Sequence, residues 1–275
     1  MQKINHKYIK SVVQKALSED LSPSGDLTTN LITSKNKVIK AKIIAKQDGI
    51  ISGLEFCKTA FKLIGKEVVF KQKIRDGEKI KKNKVIVEII AKTKTILTAE
   101  RTALNFLNHS SGISTMTNKF VNKVGRRTKI CCTRKTTPNL RLLEKYAVKK
   151  GGGFNHRFNL SDEILIKENH ISSETNFKKL IIKANKTNKV ITVEIENINQ
   201  LKQILGYKFK RILFDNMSVK LLRKCLKLCK NKYETEYSGN ANLKNVNQIS
   251  RSGVNRISIG SITHSAKSFD SSLLI

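Results

Sequence analysis

Short apolar segments alternate with helical segments over the second half of this chain, and this alternation constrains the fold most. The predicted strands are 129–132, 163–167, 190–196, 211–214, 233–237 and 256–259. The predicted helices between them are 139–149, 176–186, 199–206 and 219–230. Such alternation builds a parallel sheet of the α/β class, and polar residues at the strand ends favour a β/α barrel. An open doubly wound sheet is the alternative, but its typical GxGxxG turn is missing from the sequence.

The first half of the chain mixes strands and helices less regularly. Residues 3–18 are predicted to form an amphipathic helix, and residues 19–32, which contain Pro23 and Gly25, are predicted to form a loop. The next predicted elements are a strand over 38–51, a helix over 53–64 and strands over 68–74 and 84–91. Two helices are predicted within 98–127, with a break near Ser110-Ser111-Gly112.

The composition is that of a globular chain. Hydrophobic residues make up 39% of the 275 residues, and the mean hydropathy is -0.33. No apolar run approaches the roughly 20 residues that span a bilayer, and the N-terminus lacks the apolar core of a signal peptide. The five cysteines follow neither a CxxC nor a zinc-ligand spacing. We therefore expect a cytoplasmic protein without a membrane partner, whose cysteines are packed in reduced form.

The formal net charge of +33 raises the alternative of a basic nucleic-acid-binding protein. The lysines are scattered along the chain, however, and do not form a stripe. The sequence contains no helix-turn-helix, zinc finger or aromatic RNA-binding platform. A lysine-rich surface composition explains the charge better than a nucleic-acid partner.

Seven potential cations surround three consecutive glycines within residues 133–170. The cations are Arg134, Lys135, Arg141, His156, Arg157, Lys167 and His170. Guanidinium groups bind carboxylates and phosphates at two points, and glycines let the backbone approach a ligand closely. This pattern favours a site for a small molecule with several negative charges. A solvated basic surface is the alternative, but it explains the Gly-Gly-Gly run poorly.

The predicted strands of the second half end in polar or glycine-containing turns. The polar and glycine residues at these ends are Arg134, Lys135, Lys167, Glu194, Glu196, Asp215, Ser238, Gly239, Gly260 and His264. The active face of a barrel lies at the carboxyl ends of its strands, and phosphates usually bind after the final two strands. Glu194 and Asp215 are suited to bind ribose hydroxyls or a Mg²⁺ ion.

Seven strings in the sequence share one family resemblance. They are EDLSPSGDLTT (19–29), ERTALNFLNHSSGIST (100–115), TRKTTPNLRLLEKYAVKKGGGFNHRFNLSDEILIKENH (133–170), VEIEN (193–197), ILFDNM (212–217), SGN (238–240) and GVNRISIGSITHS (253–265). Together they resemble quinolinate phosphoribosyltransferase, also called nicotinate-nucleotide pyrophosphorylase (carboxylating). The string over 133–170 is highly specific, whereas the short strand-end motifs would not suffice alone.

The resemblance implies a two-domain fold. An N-terminal α/β sandwich over 1–111 precedes an incomplete parallel β/α barrel over 112–265, and residues 266–275 return to the sandwich. The resemblance also implies a homodimer in which Arg101 reaches the barrel site of the neighbouring subunit. Assembly of such dimers into a hexamer stays open, and an Arg101 that is merely solvated or paired with Glu100 is the alternative.

The resemblance further implies the reaction and the role of each site residue. Quinolinate and phosphoribosyl pyrophosphate would yield nicotinate mononucleotide, pyrophosphate and CO₂, with Mg²⁺ required. The implied quinolinate ligands are Arg101, Arg134, His156 and Arg157. The implied catalytic residues, which also bind phosphoribosyl pyrophosphate, are Lys135, Lys167, Glu194 and Asp215, with Glu194 and Asp215 next to Mg²⁺. The implied ligands of the 5′-phosphate are Ser238, Gly239, Gly260 and His264.

Three residues depart from the family pattern. Cys132 stands where the family usually has aspartate, and Asn139 and Asn159 stand where glycine is usual. Asparagine tolerates positive φ better than most residues, so we expect both turns to persist. A relative on the same fold, such as a nicotinate phosphoribosyltransferase or the molybdenum-associated homologue, is the second enzyme hypothesis. A catalytically silent protein kept for an interaction is the third possibility.

Overall fold

A computed structural model describes residues 4–173 and 176–275, with the side chains of 171–173 excepted. The chain divides into two compact units. The N-terminal unit comprises Met1–Asn118, Thr137–Gly152 and Ser265–Ile275. The barrel unit comprises Lys119–Thr136 and Gly153–His264. Among the described residues, no helix is long and apolar enough to cross a membrane.

The N-terminal unit contains an antiparallel sheet in the order β12, β1, β5, β3. Its strands, with a separate two-stranded β2–β4 pair, are β1 (Val38–Ala45), β2 (Gly49–Ile50), β3 (Val69–Gln72), β4 (Lys79–Ile80), β5 (Val85–Lys92) and β12 (Ser271–Leu274). Its helices are α1 (His6–Leu21), α2 (Leu27–Ile32), α3 (Leu54–Ile64), α4 (Thr93–Val124, which continues into the barrel unit) and α5 (Arg141–Lys150). The predicted strand over 38–51 is thus two strands, β1 and β2.

The core of this unit follows from the spacing of its apolar residues. Side chains of a strand alternate between faces, and β1 buries Ala41, Ile43 and Ala45 at every second position. Residues four apart share one face of a helix, and α1 buries Ile9, Val13 and Leu17 at that spacing. These side chains belong to one apolar cluster.

Two predictions for the N-terminal half are wrong. The predicted loop over 19–32 contains helix α2, because the Asp26 side chain accepts a hydrogen bond from the Thr29 amide and caps its first turn. The predicted break at 110–112 is absent, and α4 runs unbroken for 32 residues. The Ser52 amide donates a hydrogen bond to the Ser111 hydroxyl, and the Ser52 and Ser110 hydroxyls share another. These small polar residues therefore let α4 pack closely against the segment that precedes α3.

The barrel unit is built on six parallel strands in the order β6, β11, β10, β9, β8, β7. They are β6 (Lys129–Cys131), β7 (Ile164–Ile166), β8 (Ile191–Ile195), β9 (Arg211–Asp215), β10 (Glu234–Ser238) and β11 (Arg256–Ser258). Every end of the six strands lies within one residue of its predicted position. Since β6 and β7 do not pair, the sheet is not closed, and the predicted incomplete barrel is confirmed.

Six described helices of the barrel unit follow its strands in the chain, five of them between two barrel strands and the last after β11. They are α6 (Glu168–Ser173), α7 (Phe177–Ala184), α8 (Ile198–Ile204), α9 (Val219–Cys229), α10 (Val246–Ser250) and α11 (Ser261–His264). Side chains of Asn176, Asn197 and Ser218 accept backbone hydrogen bonds at the starts of α7, α8 and α9. These caps fix where each strand-to-helix loop ends, which leaves the strand ends free to carry functional residues.

Candidate active site

A cavity of about 890 Å³ lies at the carboxyl ends of the barrel strands. Every residue to which the family resemblance gives a role lines it, except Arg101. These lining residues are Arg134, Lys135, His156, Arg157, Lys167, Glu194, Asp215, Ser238, Gly239, Gly260 and His264. The further sequence candidates Arg141, His170 and Glu196 are not among the residues that line it. Each of the lining residues comes from a strand end or the turn that follows, apart from His156 and Arg157, which follow a short parallel bridge between Phe154 and Cys131 on β6. The strand-end rule therefore identified a spatially continuous site.

Two guanidinium groups form the most basic part of the cavity. Arg157 is 9% exposed, and its Nη1 donates to the Glu163 carbonyl at 3.1 Å. Burial, followed by the positive charge of Arg134, lowers the pKa of Arg157. The buried Nε of Arg134 has no hydrogen-bond partner among the residues that the structure describes. The guanidinium groups of Arg134 and Arg157 thus lie close together, and Arg134 Nε is still available to donate a hydrogen bond. This arrangement favours a ligand that carries more than one negative group.

Lys135 enters the cavity past a glycine. The Thr263 hydroxyl donates to the Lys135 carbonyl at 2.6 Å, which fixes the backbone there. A Cβ atom on Gly260 would lie 3.0 Å from Lys135 Cδ and 3.1 Å from His264 Nε2. A side chain at position 260 would therefore crowd the side chains of Lys135 and His264, which pack closely against the glycine.

An acidic pair lies near a second lysine. Glu194 on β8 is 8% exposed, and its Oε1 lies 3.4 Å from the ammonium of Lys167, which follows β7. Burial is the largest cause that raises the pKa of Glu194, to about 7, and the charge of Asp215 adds to it, while Lys167 opposes it. A carboxyl group whose pKa is raised close to neutral pH is typical of a functional site.

A tight backbone turn follows β9 and β10. Gly239 has φ +96°, and a Cβ on it would collide with the Asn216 side chain. The Asn216 amide donates to the Ser238 carbonyl at 2.9 Å, which joins the two turns. Asn216 and Asn240 also have positive φ. Successive turns of this kind form concave backbone surfaces that suit phosphate groups.

Arg101 lies on α4 in the N-terminal unit and is exposed. It is not one of the residues that line the cavity described above. Arg101 therefore stays a predicted ligand that a second subunit would have to supply.

Glu236 was not predicted from the sequence, although it lines the cavity and is fully buried on β10. Burial raises the pKa of Glu236, while Arg256, the Ser258 hydroxyl and Arg211 oppose the increase. The available signal was the alternation in ETEYS, which points Glu236 to the same side of the strand as the predicted Ser238. Only residues at the strand ends were considered as site candidates, and Glu236 lies two residues before the end of β10.

The three departures from the family pattern have defined structures. The buried Cys132 thiol lies 3.3 Å from the Asn155 side-chain oxygen, so a neutral hydrogen bond occupies the position of the usual aspartate. Asn139 has φ +64°, as expected for an asparagine in place of glycine. The turn at Asn159 also persists, but Asn159 does not adopt positive φ. Its side chain accepts hydrogen bonds from the amide and hydroxyl of Ser161 and stabilises the turn differently.

The cavity of this incomplete β/α barrel combines clustered cations, a carboxylate pair and tight backbone turns at one edge. This combination is typical of an enzyme that acts on a small phosphorylated substrate. Residues 26–111 match the family model for the N-terminal domain of quinolinate phosphoribosyl transferase, and residues 113–274 match the model for its C-terminal domain. The chain belongs to the quinolinate phosphoribosyl transferase family.

Relatives with this family's names match nearly the whole chain. A probable nicotinate-nucleotide pyrophosphorylase (carboxylating) of Bacillus subtilis is 39% identical, over 98% of this chain and 94% of its own. A decarboxylating quinolinate phosphoribosyltransferase of Nicotiana tabacum is 35% identical, over 97% of this chain and 82% of its own. The structure of the Francisella tularensis nicotinate-nucleotide pyrophosphorylase has a TM-score of 0.95 and 36% identity, covering 98% of this chain and 97% of that one.

Proposed function

We infer that this protein transfers the phosphoribosyl group of phosphoribosyl pyrophosphate to the ring nitrogen of quinolinate, with loss of CO₂. The products are nicotinate mononucleotide and pyrophosphate, so the enzyme is a pentosyltransferase of de novo NAD biosynthesis. The observation that carries this inference is the single cavity that joins paired guanidinium groups, a carboxylate pair and phosphate-type turns. Names of relatives at 35–39% identity support the same reaction.

Quinolinate is bound at the basic part of the cavity. Arg134 and Arg157 each pair with one of its two carboxylates, because a guanidinium offers two parallel donors to a carboxylate. Arg101 of a neighbouring subunit adds a third guanidinium. When both carboxylates are fixed in this way, the ring nitrogen is held in one orientation towards the ribose. This orientation lowers the barrier to transfer of the phosphoribosyl group.

Phosphoribosyl pyrophosphate is bound along the rest of the cavity. Lys135 and Lys167 face the charge of its pyrophosphate, and the turn residues Ser238, Gly239, Gly260 and His264 hold its 5′-phosphate. Positive charge develops on the ribose as pyrophosphate departs. The carboxylates of Glu194 and Asp215 stabilise that charge and hold the ribose hydroxyls.

Decarboxylation follows from the chemistry of the ribosylated ring. Once its nitrogen carries the ribose, the ring is cationic and accepts the electron pair of the adjacent carbon–carboxylate bond. CO₂ leaves, and the electron pair of the broken bond stays on the ring carbon. A proton from water then binds to this carbon. Bringing the reactants together and maintaining the local charges are the protein's contributions, and no covalent nucleophile is involved.

The site suits a Mg²⁺ ion that is bound together with the phosphate groups of the substrate. Among the described residues, no group of three or more His, Cys, Asp or Glu side chains could hold a metal ion. Glu194 and Asp215 nevertheless both line the cavity, and Mg²⁺ is commonly held by one or two carboxylates together with substrate phosphates. These two residues would hold the ion, which would neutralise charge on the departing pyrophosphate.

We place the enzyme in the cytoplasm, because all five cysteines are free and buried, as in a reducing compartment. We assign its +33 charge to the solvated surface, since the cations of the cavity are few. Small molecules are therefore the ligands that we propose, and a nucleic-acid partner remains the less favoured alternative.

Shared sites in a homodimer predict complementation between two inactive variants. Arg101→Ala and Glu194→Gln remove groups that would come from different subunits of one site. After the two variants are mixed and exchange subunits, activity should recover to about a quarter of that of the unaltered enzyme, since half of the dimers carry one intact site of two. The activity of the mixture is compared with each variant alone. No recovery despite proven subunit exchange would contradict a shared site.

The raised pKa of Glu194 predicts a pH dependence of catalysis. Below about pH 7 the group is protonated and neutral, so it cannot stabilise positive charge on the ribose. We expect kcat/KM for phosphoribosyl pyrophosphate to rise with pH through about 7 and then level off. The Glu194→Gln variant should show a lower value without this rise. Activity that falls with pH over the same interval would contradict the role given to Glu194.

A substrate comparison separates this function from the nicotinate-specific alternative. Purified enzyme is supplied with phosphoribosyl pyrophosphate, Mg²⁺ and either quinolinate or nicotinate, and nicotinate mononucleotide is measured. Two guanidiniums in one cavity favour the dicarboxylate, so quinolinate should react and nicotinate should not. Faster turnover of nicotinate would overturn the proposed substrate.

A further inference from the structure

A network of charged side chains is buried beside the cavity in the barrel unit. On β9 and β10, Arg211 and Glu234 are register partners, with 2.9 Å between Nε and Oε2. On β10 and β11, Glu236 and Arg256 are register partners, with 3.3 Å between Oε2 and Nε. Arg211 Nη1 also lies 3.1 Å from the Glu163 carboxylate. These five groups comprise two guanidiniums and three carboxylates, so the negative charges outnumber the positive ones.

Glu236 is the carboxylate of this network that lines the substrate cavity. It is fully buried, and the Ser258 hydroxyl donates to its Oε1. The Nε2 of His156 lies 3.4 Å from the same oxygen, and His156 is itself 9% exposed. A buried carboxylate needs partners. Within the described part of the chain, Glu236 has one hydrogen bond, from the Ser258 hydroxyl, while the guanidiniums of Arg211 and Arg256 lie at ion-pair distances of 3.5 and 3.3 Å from its Oε2.

His156 connects Glu236 to the predicted quinolinate ligand Arg157. The backbone amide of Arg157 donates to His156 Nδ1 at 2.7 Å. An imidazole whose Nδ1 accepts a hydrogen bond carries its proton on Nε2, which here faces Glu236. The contact between His156 Nε2 and Glu236 Oε1 at 3.4 Å is a close charge–dipole contact that lacks hydrogen-bond geometry. The ring nevertheless lies between the Glu236 carboxylate and the backbone that carries the Arg157 guanidinium.

We propose that Glu236 is a positioning residue for quinolinate binding, which acts by orienting His156 and, through it, Arg157. This inference rests on the proposed function and adds to it a residue that acts on substrate binding through its neighbours. His156 then contributes to quinolinate binding mainly through Arg157.

Simple electrostatics predicts the opposite effect of removing Glu236, and this makes the inference testable. A carboxylate beside the cavity repels a dianionic ligand, so its loss alone would tighten quinolinate binding. If Glu236 orients His156 and Arg157, its loss should weaken binding despite the charge it removes. The sign of the change therefore distinguishes positioning from charge.

The test is the dissociation constant of quinolinate for the purified enzyme, by calorimetry, with Glu236→Gln beside Glu234→Gln. Both substitutions remove one negative charge from the same network on the same strand, but Glu234 does not line the cavity. We expect Glu236→Gln to raise the dissociation constant about tenfold, as is typical for groups that orient a ligating side chain. Glu234→Gln should leave it unchanged or lower it slightly. In turnover, Glu236→Gln should raise KM for quinolinate more than KM for phosphoribosyl pyrophosphate.

A second variant covers the case in which Glu236→Gln fails to fold. Ser258→Ala removes the hydroxyl that fixes Glu236 Oε1 and leaves every charge in place. It should also weaken quinolinate binding, and its effect should not add to that of His156→Gln, because both act along one path. Unchanged or tighter binding in Glu236→Gln, or in Ser258→Ala where the first variant does not fold, overturns the inference alone. Failure of the unaltered enzyme to bind quinolinate overturns the proposed function with it.

Discussion

Replacing Arg157 with alanine is expected to weaken quinolinate binding by about 100-fold or more, the usual consequence of leaving a buried charge without its partner. Arg157 is 9% exposed, lines the cavity and lies near Arg134, so its guanidinium is desolvated at the basic part of the site. A desolvated two-point contact with a carboxylate contributes far more than the same contact in water. Equilibrium binding of quinolinate measures the effect, and the affinity for phosphoribosyl pyrophosphate should change little.

Arg223→Ala is the matched control for this substitution. Arg223 is an exposed arginine on α9 of the same unit and does not line the cavity. The control removes the same side chain and the same charge, so any general effect of lowering the net charge appears in both variants. Equal loss of quinolinate affinity in both would show that Arg157 has no special role.

Replacing Glu194 with glutamine is expected to lower kcat by about 10²- to 10³-fold, the range for removing one group that stabilises transition-state charge. Glutamine keeps the size of the side chain and its acceptor oxygen but cannot carry a negative charge. The positive charge develops on the ribose in the transition state, and bound quinolinate does not carry it. The dissociation constant of quinolinate should therefore change by less than about twofold, because Glu194 acts on the transition state. Steady-state turnover and equilibrium binding separate the two effects.

Glu196→Gln is the control within the same segment. Glu196 lies two residues further along and is exposed, whereas Glu194 is buried and lines the cavity. Both residues were candidates for the carboxylate role in the sequence, because they share one face of the predicted strand. Unchanged turnover in Glu194→Gln together with a loss in Glu196→Gln would move the role to Glu196.

Strands β7, β8 and β9 were predictable because each contains a short apolar run, and burial on both faces favours this pattern. β8 is an example, since all five of its residues are buried. The single helix α4 was not predictable from local preference, because Ser110-Ser111-Gly112 is a typical break. A Cβ on Gly112 would collide with the Lys267 carbonyl, so this glycine is explained by a contact 155 residues along the chain.

Most of the cavity was predictable because a parallel barrel brings the carboxyl ends of its strands to one edge. Glu236 was not, because a carboxylate inside a strand looks like an ordinary solvent-facing residue until its partners Arg256 and Ser258 are known. Arg101 could not be assigned from geometry, since the group it serves would belong to another subunit. Its role stays a prediction based on the family resemblance.

The measurement that tests the central claim most directly is release of labelled CO₂ from carboxyl-labelled quinolinate. Phosphoribosyl pyrophosphate and Mg²⁺ are supplied together and omitted in turn, and nicotinate mononucleotide is measured in the same samples. We predict that CO₂ appears only with all components present, in equal amount to the nucleotide, because the ring must be ribosylated before its carboxylate can leave. No release from a folded enzyme with an intact Cys132 thiol, or release without phosphoribosyl pyrophosphate, would contradict the proposed reaction.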